Sequence, residues 1–460
     1  MRRHEEPGTA DPAMAPDALR PPPGNPRFPL VDGLRAFAAL SVLVTHTAFL
    51  SGFNGHGFLG AVTARLDVGV TLFFVISGFL LYRPFVAARR EGRPRPHVRR
   101  YFRRRALRIV PAYWLALTVL AIWPGLVGVH TGDWWGYYGF LQNLSVDWIG
   151  GGITAAWSLC VEMQFYLALP LLALFADRWL AGPKDELMAL GGLALASLAV
   201  RWATHADPSP DVWSNTIAGT FGWFALGMAI AVVSVQWHHV PVARRPVVLR
   251  AVVPWPLAWW GLSAQLMILT TQIGMPTTYP QVYDDVDWIL GFALYGAMAV
   301  AFAVPAMLGD GRGVPATVLR WRPVAWLGLV SYGIFLWHHP LTGELREVQD
   351  WTSHGSFVVY TLAVFVAATA CAAASYYLVE RPLLRFKNPR PPASKASGSA
   401  GPAPVPAPGR ARRPRRRPRA DGRATARPRS RGARARGRRP PGPALPRARR
   451  RRRAAAPRCR

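Results

Sequence analysis

The feature that most constrains this chain is a series of ten apolar stretches, each about long enough to cross the hydrocarbon core of a bilayer, roughly 30 Å thick. They lie near residues 30–50, 68–88, 107–128, 154–176, 187–203, 213–235, 248–271, 286–308, 323–343 and 356–378. Of the 460 residues, 51% are hydrophobic and 19 are tryptophan, too apolar a composition for a soluble protein. The sequence therefore predicts an all-α integral membrane protein of about ten transmembrane helices.

The charges between these stretches predict which side of the membrane each loop occupies. Residues 83–108 contain eleven arginines, whereas residues 129–153 contain two aspartates and neither Lys nor Arg. Basic loops are retained on the cytoplasmic side, and the later loops continue the alternation. We expect both termini to be cytoplasmic, and the first span to direct the chain into the membrane without a cleavable signal. With 52 arginines and three lysines, the composition suggests a GC-rich bacterial source and hence the plasma membrane.

We divide the chain into an N-terminal cytoplasmic segment (1–29), a membrane domain (30–386) and a basic tail (387–460). The tail carries 26 Lys or Arg residues and one acidic residue, out of a net charge of +31 for the chain. It is rich in Pro, Arg and Ala and has almost nothing to bury, so we expect it to be disordered. It would then lie on anionic headgroups. A frame-shifted reading of GC-rich DNA would give the same composition.

The sequence disfavours a nucleic-acid partner, a disulfide framework and a metal site. No aromatic residues interleave with the arginines of the tail, so base stacking is unsupported and no nucleic-acid partner is expected. The three cysteines, Cys160, Cys371 and Cys459, lie far apart without metal-ligand spacing. We therefore expect neither a disulfide framework nor a metal site.

The first span contains three ionisable residues, Asp32, Arg35 and His46, and such residues within a membrane segment are costly and usually functional. On a helix, Arg35 and His46 would differ by about 20° in azimuth and about 16 Å along the axis. They would line one wall of a channel for an elongated ligand, with an anion-binding group near the cytoplasm and a titratable base toward the outer third. The alternative is an interfacial Asp32–Arg35 pair and a histidine that only packs against a neighbouring helix.

Two further motifs follow in the second span and the loop after it. Ser77 and Gly78 interrupt an apolar helix, where small residues usually allow close packing. Arg105 and Arg108 have a helical i, i+3 spacing and would suit phosphate groups. Their simpler interpretation is as signals for membrane orientation alone.

Polar residues also mark the fourth and ninth spans. Glu162 would be buried at a depth near that of His46, with Ser158 one turn before it on the same face. Its carboxylate could orient His46, or it could pair with a structural arginine. Trp337, His338 and His339 would reach the outer side, either as functional groups or as an interfacial aromatic belt.

Taken together, these motifs resemble the acyltransferase-3 family of bacterial membrane O-acyltransferases over roughly residues 28–385. They read, in order, DGLRAFAALSVLVTH, FFVISGF, RRALRIVP, WSLCVEMQFY, SYGIFLWHHP and the terminal ERP of residues 380–382. The resemblance implies that Arg35 and His46 are essential and that Arg105 and Arg108 serve acyl-CoA. It also implies that Glu162, the family's buried glutamate, is a third catalytic residue. Five other residues within the motifs are candidates for binding the substrates: Ser77, Trp157, Ser158, Tyr332 and His338.

The resemblance also implies a reaction. No cofactor would be bound permanently, and acyl-CoA, expected to be acetyl-CoA, would enter from the cytoplasm as co-substrate. The acceptor would be a hydroxyl of a sugar, glycolipid, polysaccharide or natural product, and membrane lipids would surround the protein. A multi-pass transporter or flippase is the alternative, but the sequence shows no internal repeat and no matched broken helices. A scaffold with degenerate residues is a third reading, disfavoured by the intact charged groups of the first span.

Overall fold

The computed structural model describes residues 29–130, 132–205, 212–239, 253–277, 284–309, 311–348 and 356–387, and within these ranges it contains helices and no strand. The α-helices are α1 Pro29–Ser51, α2 Gly57–Ala64, α3 Val68–Arg90, α4 Val98–Ile122, α5 Trp134–Tyr138, α6 Val146–Ile149, α7 Trp157–Trp179, α8 Pro183–His205, α9 Ile217–His239, α10 Pro256–Gln272, α11 Asp285–Met307, α12 Gly313–Arg320, α13 Arg322–Val348, α14 Phe357–Ser375 and α15 Arg381–Leu383. A π-helix, Tyr376–Glu380, joins the last two.

Every predicted span corresponds to a helix, and eight helical segments within the described ranges are long and apolar enough to cross a membrane. Helices α10 and α13 occupy the other two predicted spans but are not among the eight. Helix α10 has only 17 residues, and α13 carries charged residues near both ends. The all-helical membrane architecture is confirmed, while the count of ten spans stays a prediction. The predicted cytoplasmic N-terminal segment, up to residue 28, and the tail predicted to be disordered, from residue 388, lie outside the described residues.

Helix α1 carries Arg35 and His46, two of the candidate catalytic residues, and lies at the centre of the bundle. It packs against α13, α3 and α14, and its inward side chains have almost no exposed surface. A second extensive contact joins α3 to α9. In that contact, a Cβ atom at Gly78 would overlap the carbonyl oxygen of Phe224, and one at Gly227 would overlap that of Val75. The close approach of α3 and α9 therefore depends on glycine, in agreement with the packing role predicted for Gly78.

A buried ion network joins the predicted cytoplasmic ends of α3, α7 and α8. Arg89 donates to Asp177 at 2.5 Å and also to Glu186, which accepts from Arg90 at 3.3 Å and from the Tyr82 hydroxyl at 2.5 Å. The Glu186 side chain is 1% exposed. Because every one of these charges has a partner, the network can hold three helix ends together without an uncompensated buried charge.

A polar network ties the loop after α4 to α7 and α9. The Gln164 side chain donates to the Asn143 carbonyl oxygen Oδ1 at 3.2 Å and accepts from the Ile217 backbone N–H at 2.9 Å, at the start of α9. Asn143 in turn donates to the Asn215 carbonyl at 2.7 Å. This network fixes the predicted outer loop to the bundle and satisfies a helix-end donor that would otherwise be buried without a partner.

Candidate active site

Helix α1 is unbroken from Pro29 to Ser51, so Arg35 and His46 do lie on one helix. Their spacing places them on the same face, about 16 Å apart along the axis. Each of the two belongs to a group of residues from other helices. We call Arg35, Arg105 and Arg108 the arginine cluster, and His46, His338 and His339 the histidine cluster.

The histidine cluster forms where α13 crosses α1. His46 Nδ1 lies 2.9 Å from His338 Nε2, with the ring centroids 5.1 Å apart and the ring planes inclined by 29°. His339 meets the His46 ring edge-on at 4.8 Å. His338 has no exposed surface, whereas His46 is half-buried. His46 therefore packs against a neighbouring helix but is not a lone histidine. The histidines of α13 contact it inside the bundle instead of forming an interfacial aromatic belt.

The surroundings of His46 are apolar and well anchored. Val42, one turn before His46, packs with Ala155 and Phe335 in a small cluster of buried side chains. On the next residue, the Thr47 hydroxyl is 2.8 Å from that of Thr361 on α14. These contacts shield His46 from bulk water on one side and hold it at a fixed height in the bundle.

The arginine cluster lies at the other end of α1. Arg35 forms an ion pair with Asp32 at 3.1 Å, as one interpretation of the sequence required. Arg35 also interacts electrostatically with three other charged side chains, those of Arg108, Arg105 and Glu162. Three arginines and Glu162 thus converge from α1, α4 and α7, which the spacing within α1 alone could not show.

Two arginines of this cluster keep capacity for a ligand. In the part of the chain that the structure describes, neither Arg105 nor Arg108 has an acidic side chain within ion-pair distance. The buried Nε atom of Arg105 has no hydrogen-bond partner, and its guanidinium carbon lies 5.8 Å from the centre of the Tyr166 ring.

Glu162 belongs with the arginines. It accepts a hydrogen bond from the Ser77 hydroxyl on α3, and its carboxylate attracts the guanidinium of Arg35 electrostatically. The titratable groups next to His46 are His338 and His339, and no carboxylate of the described residues is among the groups that influence it. Of the two roles left open by the sequence, the structure supports a carboxylate beside an arginine rather than one that orients His46.

The remaining predicted site residues are spread between the two clusters. The Tyr332 hydroxyl donates to the Ile109 carbonyl at 3.0 Å, beside Arg108, and thereby joins α13 to α4. Ser158 donates to the Ala155 carbonyl at 3.1 Å within its own helix turn, and Trp157 is partly buried against the core. Because His338 is fully buried, it cannot touch a substrate in this conformation, and its contact with His46 is the more informative one.

Glu380 is a residue for which the sequence predicts no role. It is the last residue of the π-helix and is 5% exposed, and its carboxyl group interacts electrostatically with Arg108. Single-turn π-helices inside α-helical segments occur frequently at functional sites. The signal was present in the sequence as the terminal ERP motif, but nothing in its local spacing indicates that it faces Arg108.

The similarity to known proteins covers most of the predicted membrane domain. A family model described as an acyltransferase domain matches residues 28–377. The chain belongs to the acyltransferase-3 family. It is accordingly a multi-pass bacterial membrane protein. No solved structure matches the chain.

Three curated proteins illustrate the similarity. The peptidoglycan O-acetyltransferase OatA of Listeria monocytogenes is 26% identical over 77% of this chain and 55% of its own length. The putative peptidoglycan O-acetyltransferase YrhL of Bacillus subtilis is 27% identical, again over 77% of this chain and 55% of its own. The O-acetyltransferase OatA of Staphylococcus aureus is 24% identical over 78% and 58%. The chain thus spans little more than half the length of these relatives.

Proposed function

We propose that this protein is a membrane O-acetyltransferase that transfers an acetyl group from acetyl-CoA to a hydroxyl of a cell-envelope carbohydrate, with His46 as general base. The observation that carries the proposal is the arrangement along α1, where an arginine cluster and a hydrogen-bonded histidine stand on one face about 16 Å apart. The names of the relatives support acetyl as the group and a carbohydrate as the acceptor. Glycolipids and natural products belong to the same class of hydroxyl acceptor.

The arginine cluster is proposed as the donor site. Guanidinium groups bind phosphates through paired hydrogen bonds, and the phosphates of CoA provide several such acceptors. Arg105 fits this role because its buried Nε lacks a partner. Glu162 would keep Arg35 oriented by electrostatic attraction, and the Ser77 hydroxyl would hold the Glu162 carboxylate in place by its hydrogen bond.

The histidine cluster is proposed as the site of proton transfer. His46 would take the proton of the acceptor hydroxyl as its oxygen bonds to the acyl carbon, and would return it to the thiolate released when the carbon–sulfur bond breaks. A positioned base of this kind contributes about 10² to 10⁴-fold to the rate. The apolar side chains around His46 would limit competing hydrolysis by water.

The proposed orientation in the membrane follows from the charges of the loops. We infer ten spans with both termini in the cytoplasm, which places the arginine cluster toward the cytoplasm and His46 toward the outer third of the bilayer. The CoA thioester would then enter from the side where it is made. The basic tail would lie on anionic headgroups and take no part in the transfer.

The proposal is tested by incubating membranes with acetyl-labelled acetyl-CoA and cell-envelope acceptors. Wild-type membranes should form a labelled ester, and His46→Ala should lower its rate about 10² to 10⁴-fold without loss of membrane insertion. His97→Ala is the matched control, because His97 is exposed and its side chain does not cap α4. Activity near wild type in His46→Ala would refute the role of the base. No labelled ester from wild-type membranes would refute the transferase and favour a transporter.

A further inference from the structure

The second histidine of the pair, His338, has a hydrogen-bonding pattern that determines its own protonation. Its Nδ1 lies 2.8 Å from the Phe335 carbonyl oxygen and 3.1 Å from that of Ile334. Both oxygens only accept hydrogen bonds, so Nδ1 must carry the hydrogen that it donates to them. This is a fixed feature of the α13 backbone, because the two carbonyls belong to the preceding turn of the same helix.

The other nitrogen of His338 is therefore an acceptor. A second proton would make the ring a cation, and the ring has no exposed surface. The titratable side chains beside it are His46 and His339, which in their protonated forms would repel a cation rather than compensate one. Since an uncompensated buried charge is strongly disfavoured, His338 is neutral, and its Nε2 presents a lone pair.

The lone pair of His338 in turn determines the protonation of His46. Its Nε2 lies 2.9 Å from His46 Nδ1. A hydrogen bond at this distance needs one hydrogen between the two nitrogens, and His338 cannot supply it. His46 must donate from Nδ1, so the neutral His46 ring keeps its free lone pair on Nε2.

We propose that His338 is a positioning residue, which fixes the tautomer of His46 so that Nε2 is the proton-accepting atom. The catalytic half of this inference rests on the proposed function, while the tautomer does not. During transfer, His46 Nε2 would take the hydroxyl proton, and the resulting imidazolium would keep donating from Nδ1 to His338. The same proton then leaves from Nε2 to the departing thiolate, so neither histidine has a net change of charge after one turnover. Partners that hold a histidine in one tautomer have this effect in other active sites.

The tautomer is measured first, independently of activity. The protein is labelled with ¹⁵N-histidine, reconstituted in lipid, and examined by solid-state NMR, with the His46 signals identified by their loss in His46→Gln. Wild type should show a protonated Nδ1 and an unprotonated Nε2 at His46. In His338→Ala this preference should disappear, whereas His97→Ala should leave the His46 signals unchanged. A wild-type His46 protonated on Nε2, or a tautomer unaffected by His338→Ala, would overturn the proposal.

The kinetic consequence is measured with the assay for labelled acetyl transfer. His338→Ala should lower kcat about 10 to 100-fold, as loss of an orienting partner typically does, and should leave KM for acetyl-CoA within about threefold. His338→Gln should restore most of kcat, because its amide oxygen can take the place of Nε2 and accept from His46. Equal losses in the two variants would refute the positioning role. The expected tautomer together with no transfer by the wild type would instead refute the proposed function.

Discussion

Substitution of Glu186 by Gln tests whether the buried ion network holds the predicted cytoplasmic ends of three helices together. Glu186 accepts hydrogen bonds from Tyr82, Arg89 and Arg90. Glutamine keeps the size of the side chain and one acceptor oxygen, so Tyr82 keeps a partner. What is lost is the negative charge that faces two arginines, whose side chains are 14% and 20% exposed.

The expected loss of stability follows from these contacts. Hydrogen bonds to charged groups contribute about 1.5–3 kcal/mol each, and breaking a buried ion pair on one side costs about 3–5 kcal/mol. Arg89 keeps Asp177 at 2.5 Å, so only Arg90 loses its acidic partner. We therefore expect the free energy of unfolding to fall by about 3 kcal/mol, near the lower end of that range.

The assay is unfolding of the purified protein in detergent, followed over temperature and denaturant for wild type and variants. Glu91→Gln is the matched control, because Glu91 pairs with Arg93 in the same region but the Arg93 side chain is 62% exposed. Pairs of this kind contribute about 0–1 kcal/mol. If Glu186→Gln proves as stable as Glu91→Gln, the network does not stabilise the bundle and the reasoning from its burial fails.

Two other predictions concern the donor site and the tail. The double variant Arg105→Gln, Arg108→Gln should raise KM for acetyl-CoA at least about tenfold, with kcat changed much less, because phosphate contacts act equally in the ground and transition states; inverted topology reporters would show that the arginines only orient the chain. A chain ending at Phe386 should keep its transfer activity and lose affinity for anionic vesicles at low salt, where each arginine near the surface contributes about 1 kcal/mol. Loss of activity at both low and high salt, with normal membrane yield, would contradict the second prediction.

The helices could be predicted from the sequence because lipid leaves a spanning segment little choice but to be helical. Their ends could not. Helix α4 begins at Val98, nine residues before the apolar stretch that predicted it, and contains six of the eleven arginines of residues 83–108. Hydropathy reports only the part of a helix that contacts lipid, whereas the helix itself continues into water. The same limitation concealed the length of α13, Arg322–Val348, whose charged ends extend past its apolar centre.

The position of each site residue on its own helix could be predicted from the sequence, but the contacts between residues of different helices could not. Periodicity gives the depth and the azimuth of a residue on its own helix, and both were sufficient for Arg35 and His46. It does not tell which helices are neighbours. Helix α1 packs on α3, α13 and α14, while α7 meets α3 and α9. Glu162 therefore reaches the site through Ser77 of α3, and the partner of His46 comes from α13. Equal depth made Glu162 a candidate partner for His46, but adjacency of helices decides which side chains meet, and adjacency depends on glycine contacts and bundle packing that no single motif reports.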